Sequence, residues 1–426
     1  MPWWQTYLCA QRCTDPPPTS LFQALKLQPF ARYLANYAET EARALMAGSS
    51  LTANVHGRVL ESDDHWQGCL VVPAFDESLD TLQQQIDALA AKQVLLILVV
   101  NAPQNAAPEA LQRTQDLYNQ ITAADYANVI VVDRVSAPWR LNPKQGVGLA
   151  RKIGTDLALA LIEQGRIYSP WILQTDADVA LPPTYTDLVY EASQQILSGV
   201  KIFPHTHFSD DPILHFAARL YDQHMDYYVA GLSAAGSSYA HHSLGSTIAI
   251  HAATYAAIRG YPRRSAGEDF YLLNKARKIA PIETLAEPLL IIEARLSERV
   301  PFGTGPALRD IVATLKSDPS GGGYLSYHPK CFEALGSAVR ALNQWAEEPA
   351  VALDVDIAER LYALGFERFK NNLARQSTTT AKRLQSVHDW FDGLKTLQFV
   401  HGMQSVWPDC PLQHTLAQSP EFSQSR

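Results

Sequence analysis

The chain of 426 residues has few cysteines, and their arrangement matches no metal or disulfide pattern. The five cysteines are an odd number, are widely scattered and form no C-x-x-C pair. The sequence therefore indicates neither a disulfide framework nor a cysteine-based zinc site. A reduced, cytoplasmic setting is the expectation that follows.

Long apolar segments and an excess of basic charge are also lacking. No run of about 18 apolar residues occurs, so no membrane-spanning helix is expected. The first five residues lack the basic region and apolar core of a signal peptide. Peripheral membrane contact through an amphipathic helix stays open. A formal net charge of −8 argues against a nucleic-acid-binding protein. An anionic substrate would need a metal or local basic residues to offset the negative electrostatic potential of the protein.

What is present describes a globular protein with a sizeable core, because 47% of the residues are hydrophobic and 18% are charged. Its length suggests two or three domains. Helical spacing interrupted by prolines predicts a helical N-terminal extension over residues 1–66. Strands alternating with helices predict a main domain over residues 67–330, and returning helical spacing predicts a helical C-terminal accessory region over 331–426.

Within the main domain, four apolar segments predict buried strands that each end at a polar residue. The ends are Asp76, Asn101, Asp133 and Asp176. Repeated β-α-β units indicate a mostly parallel sheet with right-handed crossovers, so the fold class is α/β. Because the carboxyl ends of parallel strands meet at one edge, the four residues are expected to line one crevice.

The later part of the main domain shows weaker patterns. Residues 182–231 are predicted to be largely helical, and residues 232–245 to form a loop. Residues 246–251 and 288–292 are predicted as strands, and residues 270–279 as a helix. Residues 295–330, rich in glycine and proline, are predicted to be irregular.

The segment Asp176-Ala177-Asp178 follows one of the buried strands directly. Two hard oxygen ligands at this place suit Mg²⁺ or Mn²⁺ held together with a substrate diphosphate. Aspartate is also common at an ordinary strand-to-turn junction. The meaning of this D-x-D pattern therefore depends on the rest of the chain.

Four segments occur in an order that resembles the nucleotide-diphospho-sugar glycosyltransferases of the GT-A fold, closest to the family-2 type. The resemblance covers about residues 67–300 and implies a Rossmann-like, mostly parallel sheet with helices on both faces. The segments are Val71-Val72-Pro73-Ala74-Phe75-Asp76-Glu77, Asp176-Ala177-Asp178, residues 245–250 followed by Gly260-Tyr261-Pro262, and Gly267-Glu268-Asp269-Phe270.

The resemblance also implies roles for individual residues. Asp178 would hold the metal, and Asp176 would contact the metal or the ribose. Asp269 would be the general base that accepts the proton of the acceptor hydroxyl, whose oxygen displaces the diphosphate from the opposite face and so inverts the anomeric carbon. Glu268 would shape the acceptor site. The nucleotide pocket would include Pro73, Asp76, Glu77 and Asn101; the family more often has Asn at the position of Asp76.

Basic residues and histidines supply further candidates. Lys144, Arg151 and Lys152 lie near the start of a predicted helix and either offset phosphate charge or form a solvated face. Arg295 and Arg299 could close over the diphosphate as a flexible lid hinged at Gly303 and Gly305. Five histidines fall on the expected acceptor side, without the H-E-x-x-H or H-x-x-x-H spacing of a zinc site: His205, His207, His241, His242 and His251.

The leading hypothesis is a metal-dependent glycosyltransferase of the hexosyltransferase type, with inverting chemistry, a UDP-sugar donor favoured over a GDP-sugar and an unknown acceptor. A retaining enzyme acting on a small acid and a non-catalytic nucleotide-sugar-binding protein stay open as alternatives. A nucleotidyltransferase is disfavoured, because residues 74–78 after the first strand are acidic where such an enzyme needs a basic, glycine-rich loop.

Overall fold

A computed structural model describes residues 30–48, 53–57, 64–190, 199–297, 303–349, 355–376 and 379–418. The helices predicted before residue 30 and the predicted lid residue Arg299 lie outside the described residues. Residues 30–36 are helical, as the sequence predicts for the N-terminal extension. Among the helices that the structure describes, none combines the length and apolar character that crossing a membrane requires.

Strands occur throughout the described chain, and those at 68–74, 94–101 and 171–174 are wholly buried. The segments that become β2 and β3 show no alternation of polar and apolar residues, because both of their faces are covered. The strands are β1 (Val55–His56), β2 (Gly68–Ala74), β3 (Val94–Asn101), β4 (Val129–Arg134), β5 (Trp171–Gln174), β6 (Val179–Ala180), β7 (Val200–Ile202), β8 (His205–Phe208), β9 (Ile248–His251), β10 (Ile282–Thr284), β11 (Leu290–Glu293), β12 (Leu325–Ser326) and β13 (Cys410–Pro411).

Helices connect the strands and make up most of the C-terminal part. The 3₁₀ turns are Tyr185–Tyr190 and Gly245–Thr247. The α-helices are α1 (Thr40–Met46), α2 (Leu79–Ala91), α3 (Pro108–Ala124), α4 (Gly146–Glu163), α5 (Pro212–Ala234), α6 (Ala252–Ala257), α7 (Glu268–Arg277), α8 (Thr304–Ser317), α9 (Pro329–Glu347), α10 (Val355–Ala363), α11 (Phe366–Ala374), α12 (Thr380–Trp390), α13 (Gly393–Met403) and α14 (Leu412–Gln418).

The main sheet has the strand order β1-β4-β3-β2-β5-β9-β7-β10. Its centre, β4-β3-β2-β5, is parallel, and β9 then pairs antiparallel with both β5 and β7. A second sheet, β6-β11-β8, lies next to the D-x-D segment, because β6 begins directly after Asp178. The architecture is the α/β fold with a mostly parallel sheet that the sequence predicts.

Helices cover both faces of the main sheet, and each face has its own apolar core. One core joins the sheet to α4 and to the segment 30–42, and the other joins it to α2 and α3. Helix α4 lies unusually close to the sheet, since a Cβ atom on Gly154 would stand 2.4 Å from Val71 Cγ1. This close packing brings the first turns of α4 to the carboxyl edge of the parallel strands.

Two sequence-based predictions of secondary structure need correction. Residues 182–231 include most of α5, but the strands β7 and β8, which were not predicted, precede it. Strands of three and four residues are too short to produce a period that separates them from a helix. Residues 295–330 are not irregular throughout, since α8 forms there; proline in its first turn is compatible with a helix start.

A third apolar core joins α5 and α8 to the C-terminal helices. Residues from both sides of position 330 therefore share one core. The boundaries 1–66, 67–330 and 331–426 stay predictions.

Candidate active site

Arg151 joins two of the four motif segments. The side chain extends from α4 and is 3% exposed. Its Nη2 donates to Asp176 Oδ1 at 2.7 Å, and its Nε donates to Glu268 Oε1 at 3.1 Å. The guanidinium group also lies so close to residue 245 that a glycine is required there, because a Cβ atom would stand 2.5 Å from Arg151 Nη2. The D-x-D segment, the E-D segment and the segment before it thus meet around one guanidinium group.

Burial opposes the charge of Arg151, but Asp176 and Glu268 outweigh it and hold the pKa of Arg151 above its ordinary value. The guanidinium is therefore a permanent positive charge within the site. Its third nitrogen, Nη1, is buried and has no hydrogen-bond partner among the described residues.

Arg295 joins two motif segments, the one that ends at Glu77 and the D-x-D. Its two terminal nitrogens donate to the Glu77 carboxylate at 3.0 and 2.9 Å, and Nη2 also contacts Asp178 Oδ2. Glu77 is 7% exposed, whereas Arg295 is 31% exposed. The predicted lid arginine thus lies directly on the two carboxylates.

Asp178 carries the features of a cation ligand. Burial and the neighbouring charge of Asp176 raise the pKa of Asp178 to about 6, against the opposing effect of Arg295. Its second oxygen, Oδ1, is buried and has no hydrogen-bond partner among the described residues. A buried carboxylate oxygen without a donor is an acceptor that a hard divalent cation can satisfy, so Asp178 and Asp176 fit Mg²⁺ or Mn²⁺.

Asp269 begins α7 beside Glu268 and is half-buried. Its Oδ1 accepts a hydrogen bond of 2.7 Å from the backbone N–H of Phe270. Burial, followed by the charge of Glu268, raises the pKa of Asp269 to about 7. A carboxylate with this pKa can exchange a proton near neutral pH, which suits a general base.

The remaining predicted nucleotide-binding residues have varied positions. Asp76 has a left-handed backbone (φ 61°) and accepts from Arg113 of α3 at 2.6 and 3.1 Å. Asn101 is buried and donates to the carbonyls of Ala74 and Val99, so its amide nitrogen supports the strand ends. Pro73 lies inside β2, and Lys144 is exposed on the turn before α4.

Several basic and histidine candidates have structural partners. Lys152 is buried and donates to Asp156 and Tyr33, so it does not form a solvated face. His251 is buried and caps α6 by accepting from Ala253 N–H. His242 Nε2 lies 3.2 Å from Asp226 Oδ1.

Sequence analysis missed three contributors to the site. Gln85 of α2 donates to the Val179 carbonyl at 2.8 Å and so holds the segment that follows the D-x-D. A polar residue on the buried stripe of α2 is the signal that could have found it. Tyr261 donates to Gln174 at the end of β5, and Arg113 holds Asp76; both contacts join distant segments and have no local signal.

A mostly apolar cavity of about 180 Å³ lies beside α7. Phe270, the neighbour of Asp269, forms part of its wall. α5 and α13 contribute further lining residues, including Tyr228, Leu232 and Leu397. Helix α13 of the C-terminal part therefore completes a cavity next to the predicted general base.

Neither a protein-family model nor a curated protein sequence matches the chain. Solved structures of TarS from S. aureus resemble it at low similarity. TarS 1–349 in complex with UDP-GlcNAc has a TM-score of 0.35 and 12% identity, covering 76% of this chain and 91% of that chain. The same fragment with UDP has a TM-score of 0.33 and 12% identity, covering 76% and 89%. A longer TarS chain has a TM-score of 0.34 and 13% identity, covering 76% and 55%.

Proposed function

We propose that this protein is a glycosyltransferase that moves a hexosyl group from a nucleotide-diphosphate donor to an acceptor hydroxyl. The observation that carries the proposal is the position of Arg151 between Asp176 and Glu268. Through this contact the two acidic segments share one crevice at the carboxyl edge of a parallel sheet, where α/β proteins bind ligands.

The charge of the crevice supports an anionic donor that arrives with a cation. Six carboxylates lie close to two arginines among the described residues. Arg151 pairs with Asp176 and Glu268. Arg295 pairs with Glu77 and Asp178 and lies 3.9 Å from Glu293, and Asp269 follows Glu268 at the start of α7. A nucleoside diphosphate alone would be repelled by this excess of negative charge. Asp178 and Asp176 would hold Mg²⁺ or Mn²⁺, which, when bound, neutralises the departing diphosphate.

Arg295 lies where its side chain can bind the diphosphate of the donor. In the described state it donates to Glu77 and Asp178, the carboxylates expected to face the diphosphate. Its partial exposure leaves room for the side chain to turn toward a phosphate. A guanidinium group can bind two phosphate oxygens in the same bidentate manner in which it binds the two oxygens of a carboxylate.

Asp269 is the proposed general base. Its raised pKa lets it accept a proton from the acceptor hydroxyl while the hydroxyl oxygen attacks the anomeric carbon. Arg151 binds Glu268 and so holds the start of α7, which positions Asp269. The neighbouring apolar cavity would then receive an apolar part of the acceptor.

Calorimetry tests the donor site. UDP and GDP are titrated with and without Mn²⁺ into the wild-type protein and into Asp178→Asn. We expect metal-dependent binding of one nucleotide, UDP in preference, and a loss of at least tenfold in affinity in the variant. If the folded wild-type protein binds neither nucleotide with Mn²⁺, the donor-site assignment is wrong.

Product analysis tests the chemistry. An acceptor screen with the preferred nucleotide sugar, followed by NMR of the anomeric proton, distinguishes inversion from retention. Inversion is expected with Asp269 as base. Retention would make Asp269 an acceptor ligand, and nucleotide binding without turnover on any acceptor would favour the non-catalytic alternative.

A further inference from the structure

Two buried histidines and a buried aspartate converge at a place away from the D-x-D. His205 and His207 lie on β8, two residues apart, so both side chains lie on the same face of the strand. Asp222 comes from the middle of α5, which packs on β8. Their exposed fractions are 8%, 2% and 3%. One potential ligand atom from each residue lies within 4.8 Å of the other two.

We propose that His205, His207 and Asp222 form a binding site for a divalent first-row transition-metal ion, distinct from the site at Asp176 and Asp178. The proposal is independent of the glycosyltransferase assignment. Imidazole nitrogen with one carboxylate is a donor set typical of Zn²⁺ and its neighbours in the first row. The all-carboxylate D-x-D site instead suits Mg²⁺ or Mn²⁺.

Hydrogen bonds hold the carboxylate of Asp222 in place. Its Oδ2 accepts from the backbone N–H of His207 at 2.9 Å and from Thr206 Oγ1 at 3.1 Å. Its Oδ1 lies 2.6 Å from His207 Nδ1. A carboxylate fixed by a backbone donor loses little freedom when it binds an ion, and supporting contacts of this kind are common around metal ligands.

The spacing of the three ligand atoms is close to that of a bound site. With metal–ligand bonds of about 2.0–2.1 Å, ligand atoms around a tetrahedral ion lie about 3.3 Å apart. All three potential ligand atoms lie within 4.8 Å of one another, so side-chain rotation would have to bring them to the spacing of a bound ion.

The His207–Asp222 contact could be a purely structural hydrogen bond. Such a pair would not require a second imidazole beside it. The ring of His205 stands edge-on to His207, with centroids 5.6 Å apart, and the ring of His242 stands edge-on to His205 at 5.1 Å. His242 in turn contacts Asp226 at 3.2 Å. His205 therefore has two imidazole neighbours, His207 beside the buried carboxylate and His242 beside Asp226, and we expect a bound cation to lie among such donors.

The site lies in the small sheet that also carries the D-x-D. Ile292 of β11 pairs with Val179 on one side and with His207 on the other. Two strand spacings separate the backbones of Val179 and His207, which is about 10 Å. An ion here would cross-link β8 to α5 and so stiffen the sheet that contains β6, the strand directly after Asp178.

Metal binding by the full-length protein tests the proposal. After treatment with EDTA and dialysis, the protein is titrated with Co²⁺ and Zn²⁺ in the presence of excess Mg²⁺, which occupies carboxylate sites. We expect one equivalent of Co²⁺ with a visible absorption spectrum of nitrogen-containing, low-coordinate cobalt. Asp178→Asn should retain this equivalent, and His207→Ala and His205→Ala should each weaken it at least tenfold.

X-ray absorption on the wild-type zinc protein keeps the test decisive if the histidine variants fail to fold. Scattering from two imidazole rings around the metal supports the site. No Co²⁺ or Zn²⁺ binding under these conditions, a metal without imidazole ligands, or unchanged binding in both folded histidine variants would overturn the proposal.

Discussion

Arg151 Nε lies 3.1 Å from Glu268 Oε1, across 117 positions of the chain. The same guanidinium group donates from Nη2 to Asp176. A planar group with donors on two sides can hold both carboxylates at once, whereas an ammonium group is a single point charge. The contact therefore makes the relative position of the D-x-D and E-D segments depend on arginine.

Replacement of Arg151 by lysine tests this dependence. Arg151→Lys keeps the charge but loses the second contact, so we expect transferase kcat to fall at least tenfold, equivalent to about 1.4 kcal/mol. Steady-state kinetics measures the loss, and circular dichroism checks the fold. Arg219→Lys, on an exposed part of α5, is the matched control. Equal activity in the two variants would contradict the positioning role.

Arg295 is expected to affect metal and nucleotide in opposite directions. Because it binds Glu77 and Asp178 in the described state, Arg295→Met should bind Mn²⁺ alone more tightly, by a few-fold to tenfold. The same variant should bind UDP with Mn²⁺ more weakly, since a phosphate partner is lost. Calorimetry measures both affinities, with Arg219→Met as control. A parallel change in the two affinities would rule out this competition.

The pH dependence of transfer should report Asp269. A base with a pKa of about 7 must be deprotonated to act, so kcat/KM should rise about tenfold per pH unit below pH 7 and level off above it. Asp269→Asn should lower kcat by about 10²-fold to 10⁴-fold and abolish this rise.

UDP binding at pH 8 is the control for Asp269→Asn, because the variant should retain donor affinity. A rate independent of pH between 5.5 and 8.5 in the wild type, or full activity in the variant, would exclude Asp269 as the base.

Asp156 should control stability without taking part in the site. Its carboxylate is fully buried and accepts from Tyr33, Tyr255, Lys152 and the backbone N–H of Glu39, at distances from 2.6 to 2.8 Å. Asp156→Ala leaves the buried Lys152 without this partner, so we expect a loss of about 3–5 kcal/mol in the free energy of unfolding.

Urea denaturation measures this loss. Tyr33→Phe, which removes one donor to Asp156 and one acceptor for Lys152, should cost less, about 1–3 kcal/mol, and serves as the graded comparison. Similar stability of Asp156→Ala and the wild type would mean that the N-terminal segment is not held through this carboxylate.

Much of the fold was predictable from local patterns. β2 and β3 were found because strands buried on both faces have continuous apolar sequences, and their lengths suit strands. The short strands β7 and β8 and the helix α8 were missed, since a few residues or a start rich in glycine and proline carry little periodic signal. The assignments of the site residues and the metal stay predictions.

The sequence by itself determined the alternation of strands and helices, the acidic pair directly after β5 and the acidic pair that opens α7. Hydrophobic period and turn chemistry act over a few residues, so these features are legible without the structure. Only the tertiary structure decided that Arg151 binds Asp176 and Glu268, that Arg295 lies on Asp178, that Lys152 is buried against Tyr33, and that His205 and His207 face Asp222. Such contacts join residues up to more than a hundred positions apart, and they depend on strand order and helix packing, which no local pattern encodes.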